Sequence, residues 1–357
     1  MKTNFYLMGI AISVITISSC KKFDGGSLVK PSLANSSGAD TDVYAAGYIN
    51  AANGPYTVPT YWKNGVIHKL ADSSNGAMAR CVAVRDSDVL IAVTTEHLDN
   101  SAYTAVYYWD GHRGVLADKA FVGGSHCATF SACGCDYYIC GAIMVNGVYQ
   151  ACYWQNGGPA HLLPSKPYQS IANAIAVHGG NIYVAGSALT SVKNQYAIYW
   201  KNDTAYNLTD TLRRDAQALD IGLIGNDVYV AGYELAADNN SNIPTYWING
   251  VPHTLNKPGG IESMVTSGSN YYFGGGADDF GYGNYWINGV SYNLTVSDGG
   301  VQPQPNGVGV LGNDVYVAGS YSNVTNKVTP CYWKNGNFVS LAAPTQGAAI
   351  SIAAVAH

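Results

Sequence analysis

Residues 227–255 read DVYVAGYELAADNNSNIPTYWINGVPHTL, and this stretch decides the fold because variants of it recur along the chain. Each variant has an apolar run led by Asp or Asn, then a Tyr-Trp pair, usually an Asn-Gly turn, and a short run that ends in Leu. A unit repeated in this way is the signature of an architecture built from similar neighbouring modules. The pairs use all seven tryptophans and are Tyr61-Trp62, Tyr108-Trp109, Tyr153-Trp154, Tyr199-Trp200, Tyr246-Trp247, Tyr285-Trp286 and Tyr332-Trp333.

Each unit contains four strand-like runs, here named A to D. Strand A is small and apolar, as in Ala174–Val177, strand B is the VYVAG run, strand C ends in Tyr-Trp, and strand D ends in Leu. An Asn-Gly turn between two such runs is a strong hairpin signal, because both positions tolerate a positive φ. Successive tryptophans stand 39 to 47 residues apart, which matches the roughly 40–45 residues of a four-stranded propeller blade.

The two ends of the repeat region predict a closed ring. The repeat region begins with a strand B at Asp42 and ends with an unpaired strand A at Ala348–Val355. The last strand can therefore complete the blade that begins at Asp42. We predict an all-β fold over residues 42–357, a seven-bladed β-propeller with four antiparallel strands per blade and the C-terminal strand joined to the N-terminal blade.

Composition and charge exclude several classes of protein. The 357 residues are 47% apolar and 12% aromatic, which is the composition of a packed chain and not of a disordered one. The net charge is −5 and the Lys and Arg residues are scattered, so no basic patch indicates nucleic acid as a partner.

The N-terminal residues predict where the chain is located. Residues 1–19 have the charged start and short apolar run of a secretory signal peptide. The sequence Ile17-Ser-Ser-Cys20 resembles the lipobox of bacterial lipoproteins, which implies an acyl anchor such as palmitate on Cys20 and a flexible tether over residues 20–41. No Asp occupies the second mature position, so we expect attachment to the outer membrane. Lys21-Lys-Phe-Asp24 resembles the export tags of Bacteroidota surface lipoproteins and favours an outward-facing anchor over a periplasmic one.

Loop lengths indicate where a binding site would lie. The A–B and C–D connections are tight and share one face, whereas the B–C and D–A connections on the other face are long and varied. Variable loops on a rigid scaffold commonly carry binding residues, and we predict a ligand site on that face. The candidates are Ser125, His126, Tyr168, Gln169, Arg214, Asp215, Glu262, Asn306 and Gln346 at the central mouth, with Asp278, Phe280 and Tyr282 at the rim.

Chemical motifs give little support for catalysis. We find no phosphate-binding loop, nucleophile elbow, zinc motif or calcium loop, and we predict no metal and no cofactor. The aspartates at 278–279 and at 210, 215 and 220 admit a Ca²⁺ site or a carboxylate pair, but ordinary loop aspartates explain them better. The repeated tryptophans are interpreted as blade-to-blade packing and not as a sugar-stacking ladder.

Seven cysteines remain once Cys20 is assigned to the anchor, so they cannot all pair. Five lie between Cys127 and Cys152. With the Asn146-Gly147 turn, Cys140 falls opposite Tyr153 and not opposite Cys152, so we interpret these cysteines as substitutes for the small residues of other blades. Pairing stays open among Cys81, Cys127, Cys133, Cys135, Cys140, Cys152 and Cys331.

The unit Tyr-Trp-Lys/Ile-Asn-Gly, followed by Ala-x-Ala-Ile and Asp-Val-Tyr-Val-Ala-Gly, resembles propeller lipoproteins of Bacteroidota. Its cadence is similar to that of HAF-type extracellular repeats, although Tyr-Trp replaces their His-Ala-Phe-Leu-Trp. The resemblance implies architecture only, because neither group brings an activity that transfers residue by residue. Around Thr204 and Thr211 the sequence also resembles the Asp-Thr-apolar sites at which Bacteroidota attach O-glycans.

These observations leave three functional hypotheses. The first is a non-catalytic surface binding module for a glycan or other extracellular polymer, held at the long-loop face. The second is a docking subunit of an outer-membrane protein complex, which predicts one large apolar patch. The third is a glycan-active enzyme that uses His126, Arg214 and Asp215. We favour binding without catalysis, because the long loops are uncharged and rich in Tyr, Asn and Ser.

Overall fold

A computed structural model describes most of the chain from Asp40 to His357. The expected signal peptide, Cys20 and the tether up to residue 39 lie outside the described residues. In the described part of the chain, no helix has the length and apolar character needed to cross a bilayer. The described ranges are 40–52, 54, 56–71, 76–96, 103–131, 136–165, 168–191, 194–210, 215–236, 241–256, 259–276, 283–297 and 300–357.

The described residues form seven antiparallel sheets that follow one another as blades 1 to 7. Blades 1 and 2 contain β1 (Thr41–Asn50), β2 (Thr57–Lys63), β3 (Val66–Lys69), β4 (Ala77–Arg85), β5 (Asp88–Glu96), β6 (Tyr103–Trp109) and β7 (His112–Asp118). Blades 3 and 4 contain β8 (Ala120–Val122), β9 (Ala128–Phe130), β10 (Tyr137–Val145), β11 (Val148–Gln155), β12 (His161–Leu162), β13 (Ser170–His178), β14 (Asn181–Leu189), β15 (Gln195–Lys201) and β16 (Thr204–Asn207). Blade 5 contains β17 (Ala216–Ile224), β18 (Asp227–Leu235), β19 (Asn242–Ile248) and β20 (Val251–Thr254). Blades 6 and 7 contain β21 (Ile261–Ser267), β22 (Asn270–Gly275), β23 (Asn284–Ile287), β24 (Val290–Asn293), β25 (Val301–Leu311), β26 (Asp314–Ser322), β27 (Val328–Lys334) and β28 (Asn337–Ser340), and β29 (Gly347–Ala356) completes blade 1.

The inner strands contact one another in a circle, from β29 to β4 and onward through β9, β13, β17, β21 and β25 back to β29. The fold is therefore the predicted seven-bladed β-propeller. Strand β29 pairs antiparallel with β1, from Thr41 opposite Ala356 to Ile49 opposite Gly347. This pairing confirms that the C-terminal strand closes the ring.

Tryptophan burial shows how adjacent blades are held together. Six of the seven tryptophans are buried, with at most 1% of their area exposed. The indole Nε1 of Trp200 donates to the carbonyl of Pro164 at 2.7 Å, immediately after the last Leu of the preceding blade. Trp62 and Trp333 donate in the same way to the carbonyls of Ala342 and Thr295. The repeated tryptophan is thus an inter-blade packing residue, as predicted.

Blade 2 departs from the sequence alignment by one residue. Tyr107 lies opposite Ala92, as Tyr199 lies opposite Ala185 in blade 4, so Tyr107 and not Tyr108 occupies the Tyr position of the motif. Trp109 consequently takes the position that Lys63 has in blade 1 and is only half-buried. It packs against the Tyr137 ring of blade 3, with 4.7 Å between ring centroids.

This offset predicts unequal costs for two tryptophan substitutions. Trp200→Ala removes a fully buried indole, and we expect it to lower the free energy of unfolding by about 3–5 kcal/mol. Trp109→Ala removes a half-buried ring contact and should cost about 1–2 kcal/mol. Urea unfolding followed by circular dichroism measures both, and equal costs would contradict the register of blade 2.

The described cysteines are buried, and Cys81, Cys127, Cys140 and Cys152 form no disulfide with one another. Cys140 lies opposite Tyr153 and Gly141 opposite Cys152, which confirms the predicted offset. Cys140 thus occupies the position that Ala185 has in blade 4, as a small core residue. The Sγ atoms of Cys81 and Cys127 approach to 2.9 Å across the boundary between blades 2 and 3. Cys133 and Cys135 lie outside the described residues.

The two faces of the ring carry different kinds of connection between strands. Six of the seven C–D turns place an Asn or Asp and a Gly at positive φ, as at Asn64 (51°) and Gly65 (81°), whereas the turn of blade 4 is Asn202-Asp203. On the opposite face, which we call the long-loop face, the B–C and D–A connections are long except in blade 3. There the tight Asn146-Gly147 turn joins β10 to β11.

Candidate functional site

A ring of bulged residues lines the start of the central channel. In six blades the inner strand shifts register by one residue against strand B, which leaves one side chain unpaired at the same level. A bulge re-aims its side chain out of the regular alternation of the strand. In blade 3 the residues 123–127 between β8 and β9 take this place. The bulged residues are Arg80, Asn173, Leu219, Glu262, Asn306 and Ile350, in blades 2, 4, 5, 6, 7 and 1.

These residues enclose a cavity of about 470 Å³, which we call the central cavity. All six bulged side chains line it, together with Gly124 and Ser125 of blade 3, so every blade contributes to its wall. Tyr48, Ser320 and Val328, which lie in strands B and C near the long-loop face, line its outer part. The cavity therefore opens toward the face that the sequence predicts for binding.

Arg80 and Glu262 are the charged residues among the described residues that line this cavity. They belong to blades 2 and 6, three blades apart, which is the largest separation that a seven-membered ring allows. A positive and a negative group therefore lie on opposite walls, and no ion pair joins them.

Two polar atoms on one wall have no hydrogen-bond partner among the described residues. They are the buried Nε of Arg80 and the buried Oγ of Ser125, whose residue is 6% exposed. A buried donor without a partner costs about 1–3 kcal/mol. The structure therefore maintains two unsatisfied polar groups side by side, in blades 2 and 3, at the edge of this cavity.

Two asparagines that line the cavity, Asn173 and Asn306, have side-chain amides of fixed orientation. Asn173 donates from Nδ2 to the carbonyl of Ala218 at 2.9 Å. Asn306 donates from Nδ2 to the carbonyl of Ala349 at 2.8 Å. A carbonyl partner requires the NH₂ group, so the orientation of each amide is fixed and its Oδ1 is left as an acceptor.

The Glu262 side chain is exposed, but it lines the central cavity, and the walls of the channel surround it. Its Oε1 lies near the backbone of Gly260. This loss of hydration raises the pKa of the Glu262 carboxyl above its usual range. A carboxyl in such a place favours a ligand group that donates a hydrogen bond to it.

His126 crosses the channel just below the cavity. From blade 3, its Nδ1 approaches Asp220 Oδ2 at 2.5 Å in blade 5 and Ser263 Oγ at 3.3 Å in blade 6. Neither blade adjoins blade 3, so the imidazole must span the channel. Asp220 and Ser263 directly follow the cavity-lining Leu219 and Glu262, which places the ring one residue layer deeper.

The His126–Asp220 contact, which we call the cross-channel pair, joins the His126 side chain, which is 24% exposed, to a fully buried carboxylate. Asp220 is fully buried, and its carboxylate also accepts from the backbone N–H groups of Ile221 and Met264. Burial alone favours the neutral imidazole. The charge and hydrogen bond of Asp220, with a backbone hydrogen bond at Val308, outweigh burial and raise the pKa of His126.

Two further cavities share walls with the central one on the long-loop face. The larger, about 740 Å³, meets the central cavity at Val328, and we call it the side groove. The smaller, about 270 Å³, meets it at Met78 and Arg80, and we call it the lateral pocket. The side groove includes Asn50, Asn323, Lys327, Thr329 and Gln346, and the lateral pocket includes Thr57, Thr94, Tyr103 and Phe121.

The structure brings together only part of the predicted site. Ser125, Glu262 and Asn306 line the central cavity, whereas Gln346 lies in the side groove. His126 lies below the cavity, bonded to Asp220.

The other candidates are held apart from the cavity or lie outside the described residues. Gln169 accepts at its backbone carbonyl from Leu189, and Asp215 Oδ1 accepts from the N–H of Gln195. Tyr168 is exposed. Arg214, Asp278, Phe280 and Tyr282 lie outside the described residues.

Sequence reasoning missed Arg80 and Asn173. The signal was present in strand A, where one variable residue stands between two small ones, as in Ala79-Arg80-Cys81 and Ala172-Asn173-Ala174. A regular strand would point that residue into the blade, and only the bulge turns it toward the channel.

No protein-family model matches the chain, and no curated protein sequence is similar to it. Among solved structures, it is similar to a puromycin-hydrolyzing peptidase of Mycobacterium tuberculosis, with 12% identity, a TM-score of 0.49, and coverage of 76% of this chain and 46% of that chain. It is also similar to TolB from Acinetobacter baumannii, with 12% identity, a TM-score of 0.44, and coverage of 88% and 66%. The β-propeller domain of the Trilobed protease from Pyrococcus furiosus matches with 10% identity, a TM-score of 0.37, and coverage of 74% and 98%. The chain thus spans about half to two thirds of the length of the first two proteins, and their activities are not carried over to it.

Proposed function

We propose that this chain is a non-catalytic binding propeller that holds a segment of a glycan across its long-loop face. In this proposal the lipid anchor on Cys20 displays the ring at the outer membrane, facing outward. One observation carries the proposal: the central cavity shares the lining residue Val328 with the side groove and the lining residues Met78 and Arg80 with the lateral pocket, so three cavities adjoin on that face. Together they form a track that runs from the side groove between blades 7 and 1, over the mouth of the channel, to the lateral pocket at blade 2.

The shape of this track suits a chain molecule of several units. A small metabolite would be held by one cavity, whereas a polymer gains contacts in each of three. The side groove offers amides and hydroxyls, among them Asn50, Asn323 and Thr329. Groups of this kind hydrogen-bond sugar hydroxyls, and the rings of Tyr103 and Phe121 in the lateral pocket offer apolar surface for a sugar face.

The described lining favours binding over catalysis. Glycoside hydrolysis ordinarily uses two carboxyl groups placed about 5–10 Å apart across the scissile bond. Among the described residues that line the central cavity, Glu262 is the one carboxylic acid. His126, the residue of the enzyme hypothesis, is bonded to Asp220 below the cavity, while Asp215 is bonded to Gln195 at the rim.

The docking hypothesis finds less support among the described residues. It predicts one continuous apolar patch, yet the exposed apolar side chains of the outer strands are distributed around the ring. Blades 1 to 6 each have at least one, namely Val66, Val115, Leu162, Tyr206, Val251 and Val290.

A glycan-array screen of the chain without its lipid, residues 21–357, tests the proposal, followed by calorimetric titration of the glycans retained. Val328→Arg places a long charged side chain where the side groove meets the central cavity. We expect this variant to bind an oligosaccharide at least tenfold more weakly, because the track is interrupted. Val251→Arg, on the outer strand of blade 5 and 58% exposed, is the matched control and should bind normally.

Two outcomes contradict the proposal. One is a screen that retains no glycan while a membrane protein copurifies with the lipidated chain at equal stoichiometry, which would support the docking subunit. The other is equal loss of affinity in Val328→Arg and Val251→Arg, which would show that the glycan does not bind along the track.

A further inference from the structure

The two walls of the central cavity offer different hydrogen-bonding groups, and together these groups define the chemistry of a ligand that fits there. On the wall formed by blades 2 and 3, the unsatisfied groups are donors, the Arg80 guanidinium and the Ser125 hydroxyl. On the wall formed by blades 4, 6 and 7, the residues at the bulge level offer three acceptor groups, Asn173 Oδ1, Asn306 Oδ1 and the Glu262 carboxyl. A complementary ligand needs acceptors at one end and donors at the other.

The donor wall is suited to an anion with one negative charge. Arg80 has no hydrogen bond or ion pair to any described residue, and its Nε is shielded from solvent. A guanidinium binds a carboxylate through two parallel hydrogen bonds, and such charge-assisted bonds are about twice as strong as neutral ones. Ser125 Oγ, buried and without a partner in the adjacent blade, adds a third donor.

The acceptor wall is suited to hydroxyl groups. One N–H of Asn173 and one of Asn306 donate to the carbonyls of Ala218 and Ala349, which fixes each amide and leaves its Oδ1 available to accept from a ligand hydroxyl. Glu262 lies between them in the ring order of blades 4 to 7. A sugar ring carries several hydroxyl donors on neighbouring carbons, so one residue can satisfy more than one of these acceptors. Gln304, which accepts from Ser320 through Oε1, keeps its own NH₂ as one additional donor at the cavity edge.

We infer that the central cavity is the specificity subsite of the track and that it takes a carboxylate-bearing sugar, a uronic acid unit of an acidic glycan. Its carboxylate binds Arg80 and Ser125, and its hydroxyls donate to Glu262, Asn173 and Asn306. This inference rests on the proposed function, because the units on either side of the acidic sugar occupy the side groove and the lateral pocket. A cavity of about 470 Å³ accommodates one such unit with its two linkages.

The charges on the two walls also favour a carboxylate over a group that carries more negative charge. Arg80 supplies one positive charge, and Glu262 faces it without a cation of its own among the described lining residues. A phosphate dianion would place a second negative charge opposite that carboxyl in a poorly hydrated space, which is unfavourable. A free amino acid would satisfy both walls, but it would leave the two flanking cavities unused.

The test titrates the chain with oligomannuronate and oligoglucuronate, each compared with its carboxyl-reduced counterpart of the same length. We expect the acidic form to bind at least tenfold more tightly than the neutral form. Arg80→Met should abolish this preference, because it lowers the affinity for the acidic form at least tenfold more than the affinity for the neutral form. Arg113→Met, an exposed arginine of the same blade, should retain the preference. Arg80→Lys, which keeps the charge and loses the planar pair of donors, should retain only part of it.

Folding does not obscure this test. Arg80→Met removes a buried donor that has no partner, so its thermal midpoint should equal or exceed that of the parent chain. A lower midpoint would show that Arg80 has a structural partner, and this would overturn the inference.

The outcomes separate the inference from the proposed function. Equal binding of acidic and neutral oligosaccharides would overturn the acidic subsite and leave the glycan track intact. Preference for sulfated over carboxylated oligosaccharides, or tight binding of free amino acids, would also overturn it. Failure of every oligosaccharide to bind would overturn both. An unchanged preference in Arg80→Met would show that the anion binds elsewhere.

Discussion

Removal of residues 347–357 will prevent the chain from forming a stable ring, because these residues form the inner strand of blade 1. Ala349, Ser351 and Ile352 are buried there, and truncation of Ile352 alone to Ala should cost about 2–5 kcal/mol. Ser351 Oγ also accepts from the N–H of Val82 in blade 2. In a repeat protein each blade is stabilised by its neighbours, so we expect the loss of one inner strand to expose apolar edges on blades 1, 2 and 7. The truncated chain should aggregate or unfold without a cooperative urea transition.

A rearranged chain provides the matched control. The backbone N–H of His357 donates to the carbonyl of Asp40 at 3.0 Å, so the ends of β29 and β1 already lie together. Placing residues 347–357 before residue 40 through a Gly-Asn turn restores all four strands of blade 1 in one continuous segment. This permuted chain should fold, with a lower urea midpoint than the parent because blade 1 no longer ties the two ends of the ring. A truncated chain that unfolds at the same urea concentration as the parent would contradict the role of β29.

The blade architecture could be predicted because its causes are local and repeated. An Asn-Gly or Asp-Gly turn fixes six of the seven C–D hairpins, and six of the seven tryptophans mark the packing position between blades. The same regularity gave a wrong alignment of blade 2. In Tyr107-Tyr108-Trp109, either tyrosine can be aligned with the Tyr of the repeated motif. Only the Asp110-Gly111 turn, with φ values of 47° and 83°, selects the register that the structure has.

The candidate site could be predicted only in part because its geometry is not local. Ser125, Glu262 and Asn306 were found from their place near the start of strand A. Arg80 was missed, because the variable residue between two small ones in strand A does not by itself show a bulge, which depends on hydrogen bonding to strand B. The cross-channel pair joins residues 94 positions apart and exists only once the ring closes.

Replacement of Asp220 by Ala will strongly destabilise the ring. The buried carboxylate of Asp220 accepts from His126 in blade 3 and from the N–H of Met264 in blade 6, so one side chain connects three blades. Removing one partner of a buried ion pair typically costs about 3–5 kcal/mol, because the other partner stays buried without compensation. The free energy of unfolding in urea measures the cost. Asp227→Ala, which removes an exposed carboxylate of the same blade, should cost much less.

The same pair makes stability depend on pH in a defined direction. Because the pKa of His126 is raised in the folded chain, the contribution of its proton is fully present below the unfolded value of about 6.5. That contribution is lost as pH rises through the folded pKa of His126. The difference in unfolding free energy between the parent chain and His126→Gln should therefore decrease from about pH 6 upward. The nearby thiols of Cys127 and Cys140 do not interfere, because burial raises the pKa of each above its usual range and they stay neutral there.

A pH-independent difference between the parent and His126→Gln, or one that grows with pH, would show that His126 crosses the channel as a neutral side chain. The cross-channel pair and the central cavity are separable in these experiments. Asp220→Ala acts on the layer below the cavity and should change the free energy of unfolding, whereas Arg80→Met acts on the cavity wall and should change ligand preference alone. If Arg80→Met instead reproduced the pH-dependent loss of stability, Arg80 would belong to the structural layer, and the cavity would lose the cation on which acidic-sugar recognition depends.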